Sequence, residues 1–406
     1  MKRIISVLLL AIMIFSVSCS SGDANGTDTS EMQDSTAESS DQTQPVTDAE
    51  TDAPEEEPID VGLDITNMDK VVSICYSTWF DPVAKEGQRI YNITEILEND
   101  GRWGNYFQFH YWAEPALGYY TSSDKEVIRT HMTQLADAGV DFIIIDNTNA
   151  NYSAWAGSYW DSMVTRPCKA ILDTILEMKA EGKKTPHVVF WNRTKSGGTE
   201  CGWRTCEVIY EQFYRTGKYA DCWVYWNGKP LMLCAASSFP NQMKHSGFKY
   251  VEKFTMRDMT VKIYMGRNIK LGKSEWTFLN DGAEPCKDAN GNYEQISVYV
   301  ARQTDYMSNT SSAIGRDGGR TFLRQWKRVF ETNPKIVTLT WWNEWIAQRQ
   351  HDINGRVTFV DNYTEEYSRD IEPMKGGHGD KYYQWMKQYI AAYKAGEECP
   401  KNLIDE

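Results

Sequence analysis

The chain of 406 residues has none of the short motifs that mark a metal, nucleotide or nucleophile site. Its six histidines form no HxH or HExxH pattern, which argues against a zinc site. No Gly-rich phosphate loop, GxSxG turn or Cys/His nucleophile signature occurs. The sequence therefore predicts no metal and no cofactor, and it leaves ordinary polar side chains as the source of any chemistry.

Positive charge is absent from residues 20–64, which hold fourteen acidic side chains and very few apolar ones. Such a segment cannot repay the entropy lost on ordering, so we expect a disordered acidic tether. The net charge of the whole chain is −13, but residues 65–406 carry only −1 of it. A near-neutral folded part has no basic excess for binding nucleic acid.

Long apolar runs are also missing, apart from residues 4–17, which are too few to span a membrane. The basic residues Lys2 and Arg3, this apolar run and the small residue Ser18 predict a secretory signal over residues 1–19. Cys19 follows Ser18 directly, as in the bacterial lipoprotein box. We therefore expect lipidation of Cys19, which would anchor the exported protein to the outside of the cell membrane; a plain secretory signal is the alternative.

The remaining eight cysteines are irregularly spaced and do not resemble the framework of a small disulfide-rich protein. Several lie in apolar surroundings, as buried thiols do. Cys201 and Cys206 are near enough in sequence to pair, which the sequence alone leaves open.

Strand-like and helix-like patterns alternate along residues 65–406, which predicts a (β/α)8 TIM barrel, an α/β fold, after the tether. A doubly wound sheet is less favoured because its phosphate fingerprint is missing. Asn227-Gly228 predicts a tight hairpin turn. The expected strands are 71–79, 140–149, 187–193, 231–235, 261–265, 276–279, 296–300 and a last one from 336 that ends at Glu344. The expected helices are 123–139, 168–179, 207–216, 321–332 and 381–394.

The last predicted strand ends in an unusual sequence, TWWNEW at 340–345, which places Glu344 among Trp341, Trp342 and Trp345. Apolar rings desolvate a carboxylate and raise its pKa, so a Glu in such a place becomes a usable acid near neutral pH. The alternative is a structural Glu satisfied by Asn343 or by an arginine. We expect Glu344 to be catalytic.

Asp146 follows three consecutive isoleucines at the end of another predicted strand. Because catalytic residues of a barrel gather at the carboxyl ends of its strands, Asp146 is the second candidate. A turn cap is its alternative function. Further along, residues 369–380 could form a loop over the mouth of the barrel, but a structural ion pair between Arg369 and a carboxylate is the favoured interpretation.

Two stretches, residues 118–149 and TWWNEW at 340–345, resemble glycoside hydrolases of families 99 and 71, which include endo-α-mannosidases. Residues 368–377 are similar to the tail of secreted bacterial relatives, and the resemblance covers 71–394. It implies a (β/α)8 barrel with two catalytic carboxylates three residues apart. Glu344 matches the first, but Ala347 stands where the second belongs. The partner acid is then expected at another strand end, with Asp146, Glu275, Asp281 and Asp305 as candidates.

The sequence thus favours a cell-surface glycoside hydrolase that cleaves a poly- or oligosaccharide, for which α-mannan or α-glucan is a candidate. Its rival is a non-catalytic glycan-binding lipoprotein on the same scaffold, which Ala347 favours. The candidate substrate-binding residues are those that stack on sugar rings or donate to hydroxyls: Trp112, Trp191, Asn192, Arg193, Trp276, Trp341 and Asn343.

Overall fold

The computed structural model describes residues 61–406 except 85–86, 151, 153–157, 195–202, 237–244, 261–270, 272–273, 280–283, 289, 304–307, 309–310, 312, 402 and 405–406. These residues belong to one compact unit, Glu56–Glu406. The signal and Cys19 lie outside them, as does almost all of the predicted tether. Leu63 and Asp64, at the end of that tether, form a short strand of the folded part.

Strands and helices alternate from Val71 to Trp226, as the sequence patterns predicted, whereas no α-helix lies between Lys229 and Tyr299 in the described ranges. The twelve described strands are β1 Leu63–Asp64, β2 Val71–Tyr76, β3 Phe109–Tyr111, β4 Phe142–Asn147, β5 His187–Arg193, β6 Val224–Trp226, β7 Lys229–Ala236, β8 Thr255–Thr260, β9 Glu275–Thr277, β10 Gln295–Tyr299, β11 Ile336–Thr340 and β12 Ile346–Gln348. The main helices are α1 Ile93–Glu98, α2 Lys125–Asp137, α3 Arg166–Ala180, α4 Arg204–Ile209, α5 Arg320–Thr332 and α6 Lys381–Ala395. A helical turn, Ser158–Trp160, and a π-helical turn, Asp161–Thr165, lead into α3.

Eight of the strands are parallel and lie side by side in the order β9, β8, β7, β5, β4, β2, β11, β10. The end strands β9 and β10 meet through side chains. The Gln295 amide donates to the Thr277 carbonyl at 2.8 Å and accepts from the Thr277 N–H at 3.2 Å. The α/β architecture is confirmed, while no backbone ladder joins β9 to β10 within the described ranges.

The sheet has an apolar layer on each face. In β4, Ile143 and Ile145 pack against the helices, while Phe142 and Ile144 join a separate cluster on the other face. This double burial explains the uninterrupted isoleucine run, because a parallel strand covered on both faces needs apolar residues at every position. At the end of β4, Asp146 shares the face of Phe142 and Ile144.

Two of the predicted local features have different outcomes. The hairpin is confirmed, since β6 and β7 pair antiparallel around Asn227 and Gly228, both at positive φ. The fifth strand was predicted at 261–265, which lies outside the described residues, and β8 is found just before it. Arg257 and Asp258 interrupt the apolar pattern of β8 and conceal it in the sequence. None of the helices that the structure describes is both long and apolar enough to cross a bilayer.

Candidate functional site

Glu344 forms a buried ion pair with Arg369 just beyond the end of β11. The Arg369 Nε and a terminal nitrogen donate to the two carboxylate oxygens at 2.6 and 2.7 Å. This two-point contact favours the ionised form of the carboxylate. Burial raises the pKa of Glu344, and the Arg369 guanidinium opposes that rise. The predicted pairing of Arg369 with a carboxylate is confirmed, and the carboxylate is the candidate acid itself.

The segment that carries Arg369 is fixed to the end of β11 by its backbone. The Trp341 N–H donates to the Arg369 carbonyl at 3.0 Å, and the Ile371 N–H donates to the Trp341 carbonyl at the same distance. The loop after β12 is fixed as well, since the Asn362 side chain donates to the backbone carbonyl of Glu344. The ion pair is therefore preorganised by the chain on both sides of it.

Asp361 brings a second carboxylate to the same guanidinium, 3.2 Å from an Arg369 terminal nitrogen. Its side chain is 32% exposed, against 11% for Glu344 and 2% for Arg369. The cluster therefore opens to solvent on the side of Asp361. Asp361 was not among the predicted site residues; its signal in the sequence is the pair Asp361-Asn362, which is typical of a turn, and Asp361 adopts a positive φ of 68°.

Asp146 is the third carboxylate of the cluster. Burial is the main reason why its pKa rises to about 6, and the negative charge of Asp361 adds to the rise while Arg369 opposes it. Thr148 supports the carboxyl from one side, with its N–H donating at 2.8 Å. Among the described residues, Thr148 alone donates a hydrogen bond to this carboxyl. A carboxyl with a pKa near 6 can exchange a proton close to neutral pH.

Cys75 responds to the charges of this cluster. Cys75, buried at the end of β2, has its thiol pKa raised by burial first and then by the charges of Asp146 and Glu344. Trp191 and Trp341 lie beside the cluster with their ring centroids 6.4 Å apart, and Arg369 lies 4.9 Å from the Trp341 ring. Three carboxylates around one arginine make this end of the sheet strongly acidic.

The indoles do not surround Glu344 in the way that the sequence suggested. Trp342 packs edge-on against His131 and Tyr383 on the helix side of the sheet. Trp345 stacks on Trp112 at 5.2 Å. Of the three indoles, Trp341 alone lies beside the ion pair. The burial of Glu344 therefore comes from all the surrounding residues and not from the three indoles. The reason is that consecutive residues leaving a strand point in different directions.

Several predicted sugar contacts have buried protein partners instead. Trp112 donates to Asp370 at 2.5 Å, Trp276 donates to Glu294 at 2.6 Å, and Asn343 holds the backbone of Ser77 with both its side-chain atoms. Asn192 accepts from Asn147 at 3.3 Å. This packing does not favour direct sugar binding by these four residues, which stays a prediction.

Trp191 and Arg193 differ from that group, because they lie on the same face of β5 and next to β4. Asp146 is the register partner of Trp191. Trp191 donates its indole N–H to the Met259 carbonyl at 3.1 Å, which fixes the ring, and both residues are buried at the carboxyl end of the strand. With Trp341, Trp191 lies beside the acidic cluster, while Arg193 is the register partner of Ala235 in β7.

Ala347, where the resembling family has its second acid, is fully buried in β12 opposite His110. Among the other candidates, Glu275 is buried in β9, while Asp281 and Asp305 lie outside the described residues. Asp361 shares the Arg369 guanidinium with Glu344, and the charges of Asp361 and Arg369 act on Asp146, whereas position 347 lies in β12 opposite His110.

Two further buried carboxyls near the site, those of Glu372 and Asp370, are hydrogen-bonded to other side chains of the protein. Glu372 accepts from Tyr120 and Trp345 at 2.7 and 2.6 Å and meets the Nε2 atom of His131 at 2.9 Å. His131 is fully buried, as predicted for a core residue. Burial raises the pKa of Asp370 to about 7. No group of three or more His, Cys, Asp or Glu side chains in the described ranges has a metal-binding arrangement.

No protein-family model matches the chain, and no curated protein matches it. Solved structures do. An endo-α-mannosidase of glycoside hydrolase family 99 from Bacteroides thetaiotaomicron aligns with a TM-score of 0.50 and 13% identity, over 81% of this chain and 98% of that one. The same enzyme with BIS-TRIS-propane gives 0.48 and 14%, over 81% and 99%, and a glycoside hydrolase-like protein gives 0.42 and 13%, over 82% and 97%. At such low identity the first of these likenesses shows a shared fold.

Proposed function

We propose that the protein is a glycoside hydrolase that uses Asp146 and Glu344 at the carboxyl ends of a (β/α)8 barrel. The observation that carries the proposal is the cluster of Asp146, Glu344 and Asp361 around Arg369. Glycosidic cleavage needs one carboxyl that gives a proton and one carboxylate that acts as base or nucleophile. The fold shared with an endo-α-mannosidase supports the same class of substrate.

The surroundings of the two acids suggest different roles. Asp146, with its pKa raised to about 6, is suited to donate a proton to the departing glycosidic oxygen. Glu344, whose ionised form Arg369 favours, supplies negative charge opposite the developing oxocarbenium ion, as nucleophile or as base toward water. Asp361, more exposed, adds to that field. Trp191 and Trp341 then form the apolar side of the site.

The finer parts of the proposal concern the substrate and the place of action. α-Mannan and α-glucan oligosaccharides are the first substrates to test. Export and lipidation at Cys19 would put the barrel outside the cell on its acidic tether, where such glycans are met. These points come from the sequence patterns described above.

The test is to incubate the purified protein with α-mannans, α-glucans and host-type glycans and to measure released sugars from pH 4 to 9. Release should fall as the pH rises through about 6, where Asp146 loses its proton. Asp146→Asn and Glu344→Gln should each lower the rate by about 100-fold or more. Asp173→Asn, the same change on the outer surface of α3, should leave it unaltered.

A non-catalytic glycan-binding protein is the second candidate. It is favoured by Ala347, which leaves the family's acid position empty, and by the engagement of both Glu344 oxygens with Arg369. Binding without release by the wild-type protein, unchanged in Asp146→Asn, would establish this candidate and overturn the hydrolase.

A further inference from the structure

A cavity of about 430 Å³ lies at the opposite end of the sheet from the acidic cluster. It is bordered by Gly228 and Lys229, where β7 begins, and by Glu252 and Lys253, just before β8. The eight residues of β7 span about 25 Å at roughly 3.3 Å each. The cavity is therefore separate from the site described above, and nothing in the proposed mechanism uses it.

Aromatic side chains form the floor and walls of this cavity. Tyr214 and Trp223 are stacked at 4.2 Å between ring centroids, and both are buried. Tyr210 and Tyr250 are stacked at 4.0 Å and are half-buried. Because each ring is held by another, the surface is preformed and little conformational entropy is lost on binding. Such ring faces suit the flat C–H faces of sugars.

The rim of the cavity is basic. Lys229, Lys249 and Lys253 are exposed there, together with one acidic residue, Glu252. None of the three lysines forms an ion pair with a residue that the structure describes, and Lys249 lies over the Tyr250 ring at 5.1 Å. A local excess of two positive charges contrasts with the net charge of −1 on residues 65–406. Ammonium groups on flexible stems recognise carboxylate and sulfate as point charges.

We propose that this cavity is a second carbohydrate site that binds acidic sugar units, with the aromatic rings under the sugar and the lysines on its carboxylate or sulfate groups. That the ligand is a glycan rests on the proposed function; that it is anionic follows from the rim. Binding here would hold a charged polysaccharide to the protein at a distance from the acidic cluster.

The experiment is calorimetric titration of the full-length protein with oligogalacturonate, sulfated dextran, neutral dextran and poly-glutamate of matched charge. Oligogalacturonate or sulfated dextran should bind, and the other two should bind at least tenfold more weakly. Which of the two acidic glycans binds more tightly identifies the group that the lysines recognise.

The variants locate the binding. Lys249→Gln should weaken it about fivefold, the loss expected for one exposed charge pair, and Tyr250→Ala should weaken it at least as much. Glu252→Gln should strengthen it. Lys387→Gln is the matched control, because Lys387 also lies over a tyrosine ring, Tyr383, but outside the cavity. It should have no effect.

Equal binding of poly-glutamate, lost equally in Lys249→Gln, would show a surface for acidic peptides and overturn the proposal. Absence of binding by both acidic glycans would overturn it as well. Asp146→Asn and Glu344→Gln should bind as the wild type does. A protein that releases no sugar but binds in this way would therefore refute the hydrolase and leave the second site intact.

Discussion

Burial makes the ionised form of the Asp146 carboxyl unfavourable in the folded protein. Its pKa rises to about 6 in the folded protein, mainly through burial, from about 3.9 in an unfolded chain. The shift is worth about 3 kcal/mol at about 1.4 kcal/mol per pKa unit. Because the folded-state pKa is the higher one, the associated stability is fully present below about pH 4 and is lost as the pH rises through about 6.

Asp146→Asn is therefore expected to stabilise the protein at alkaline pH while it removes the proposed activity. A neutral amide does not have to be ionised inside the protein, so the free energy of unfolding should exceed that of the wild type by up to about 3 kcal/mol at pH 8. Near pH 4 the two should agree. Urea unfolding at pH 4, 6 and 8 measures the difference.

Asp173→Asn is the control with the opposite sign, because hydrogen bonds from Lys218 and Tyr219 lower the pKa of Asp173 in the folded protein despite its partial burial. Its small effect should be a loss of stability that is greatest at high pH. A gain in Asp146→Asn that is the same at all three pH values would contradict the assignment of a raised pKa.

The Glu344–Arg369 pair is expected to show strong coupling. Arg369→Met leaves a buried carboxylate without its partner, which typically costs about 3–5 kcal/mol. Glu344→Gln in the same chain should recover a large part of that loss, because it removes the unpaired charge. A double-mutant cycle on the free energy of unfolding measures the coupling; strictly additive losses would show that the ion pair is not the source of the effect.

At the scale of single residues, the sequence predicted the ion pair of Arg369 but not the directions in which the neighbouring side chains point. Arg369 was expected to pair with a carboxylate, and it does. That Trp345 turns away from Glu344 could not be read from its position, because the direction of each side chain depends on how the chain leaves β11. Asp361 was missed because its approach to Arg369 depends on a turn at positive φ.

At the scale of helices and strands, regular periodicity made most elements predictable. β5 was predicted with its exact bounds, His187–Arg193, because its apolar run is uninterrupted. β8 escaped because Arg257 and Asp258 find partners on opposite sides of the strand, Glu294 at 2.7 Å and His245 at 2.7 Å. Two adjacent charged residues, each bound to its own partner, break the apolar pattern on which strand prediction rests.

Gly139 and Gly182 provide a comparison at the ends of α2 and α3. Both adopt positive φ, 81° and 74°, which costs a residue with a Cβ about 1 kcal/mol. A Cβ at Gly139 would also meet Ile390 of α6 at 3.0 Å, whereas nothing lies within 4 Å of one at Gly182. Gly182→Ala should cost about 1 kcal/mol, and Gly139→Ala should cost more because α6 must shift.

Thermal unfolding of the two glycine variants separates the cost of the positive φ from the cost of the contact with Ile390. Near-UV circular dichroism follows the tyrosines of α6 in the same experiment. Equal losses would mean that α6 accommodates the added methyl group freely, and that its packing on α2 is loose at this point.

For the molecule as a whole, the contact between the two end strands of the sheet was the least predictable feature. Eight parallel strands follow from alternating patterns, but β9 and β10 meet through side chains: Gln295 reaches the backbone of Thr277, and the Thr277 and Ser297 hydroxyls lie 3.3 Å apart. Nothing in the sequence indicates that the side chain of this glutamine bonds to the backbone of another strand. The short length of β9, three residues, is why the backbone ladder ends there.

Gln295→Met tests whether this side chain joins the two ends of the sheet. The substitution keeps the volume but leaves a buried N–H and a buried carbonyl of Thr277 without partners, at about 1–3 kcal/mol each. We expect a loss of about 2–6 kcal/mol and faster hydrogen exchange at Thr277 than at the strands between β8 and β11. Gln325→Met is the matched control, because Gln325 is also buried but its Oε1 atom has no hydrogen-bond partner among the described residues. Equal losses in the two variants, or an even rise of exchange along the sheet, would show that Gln295 is an ordinary buried amide. The two end strands would then be held together by their other contacts, such as the one between the Thr277 and Ser297 hydroxyls.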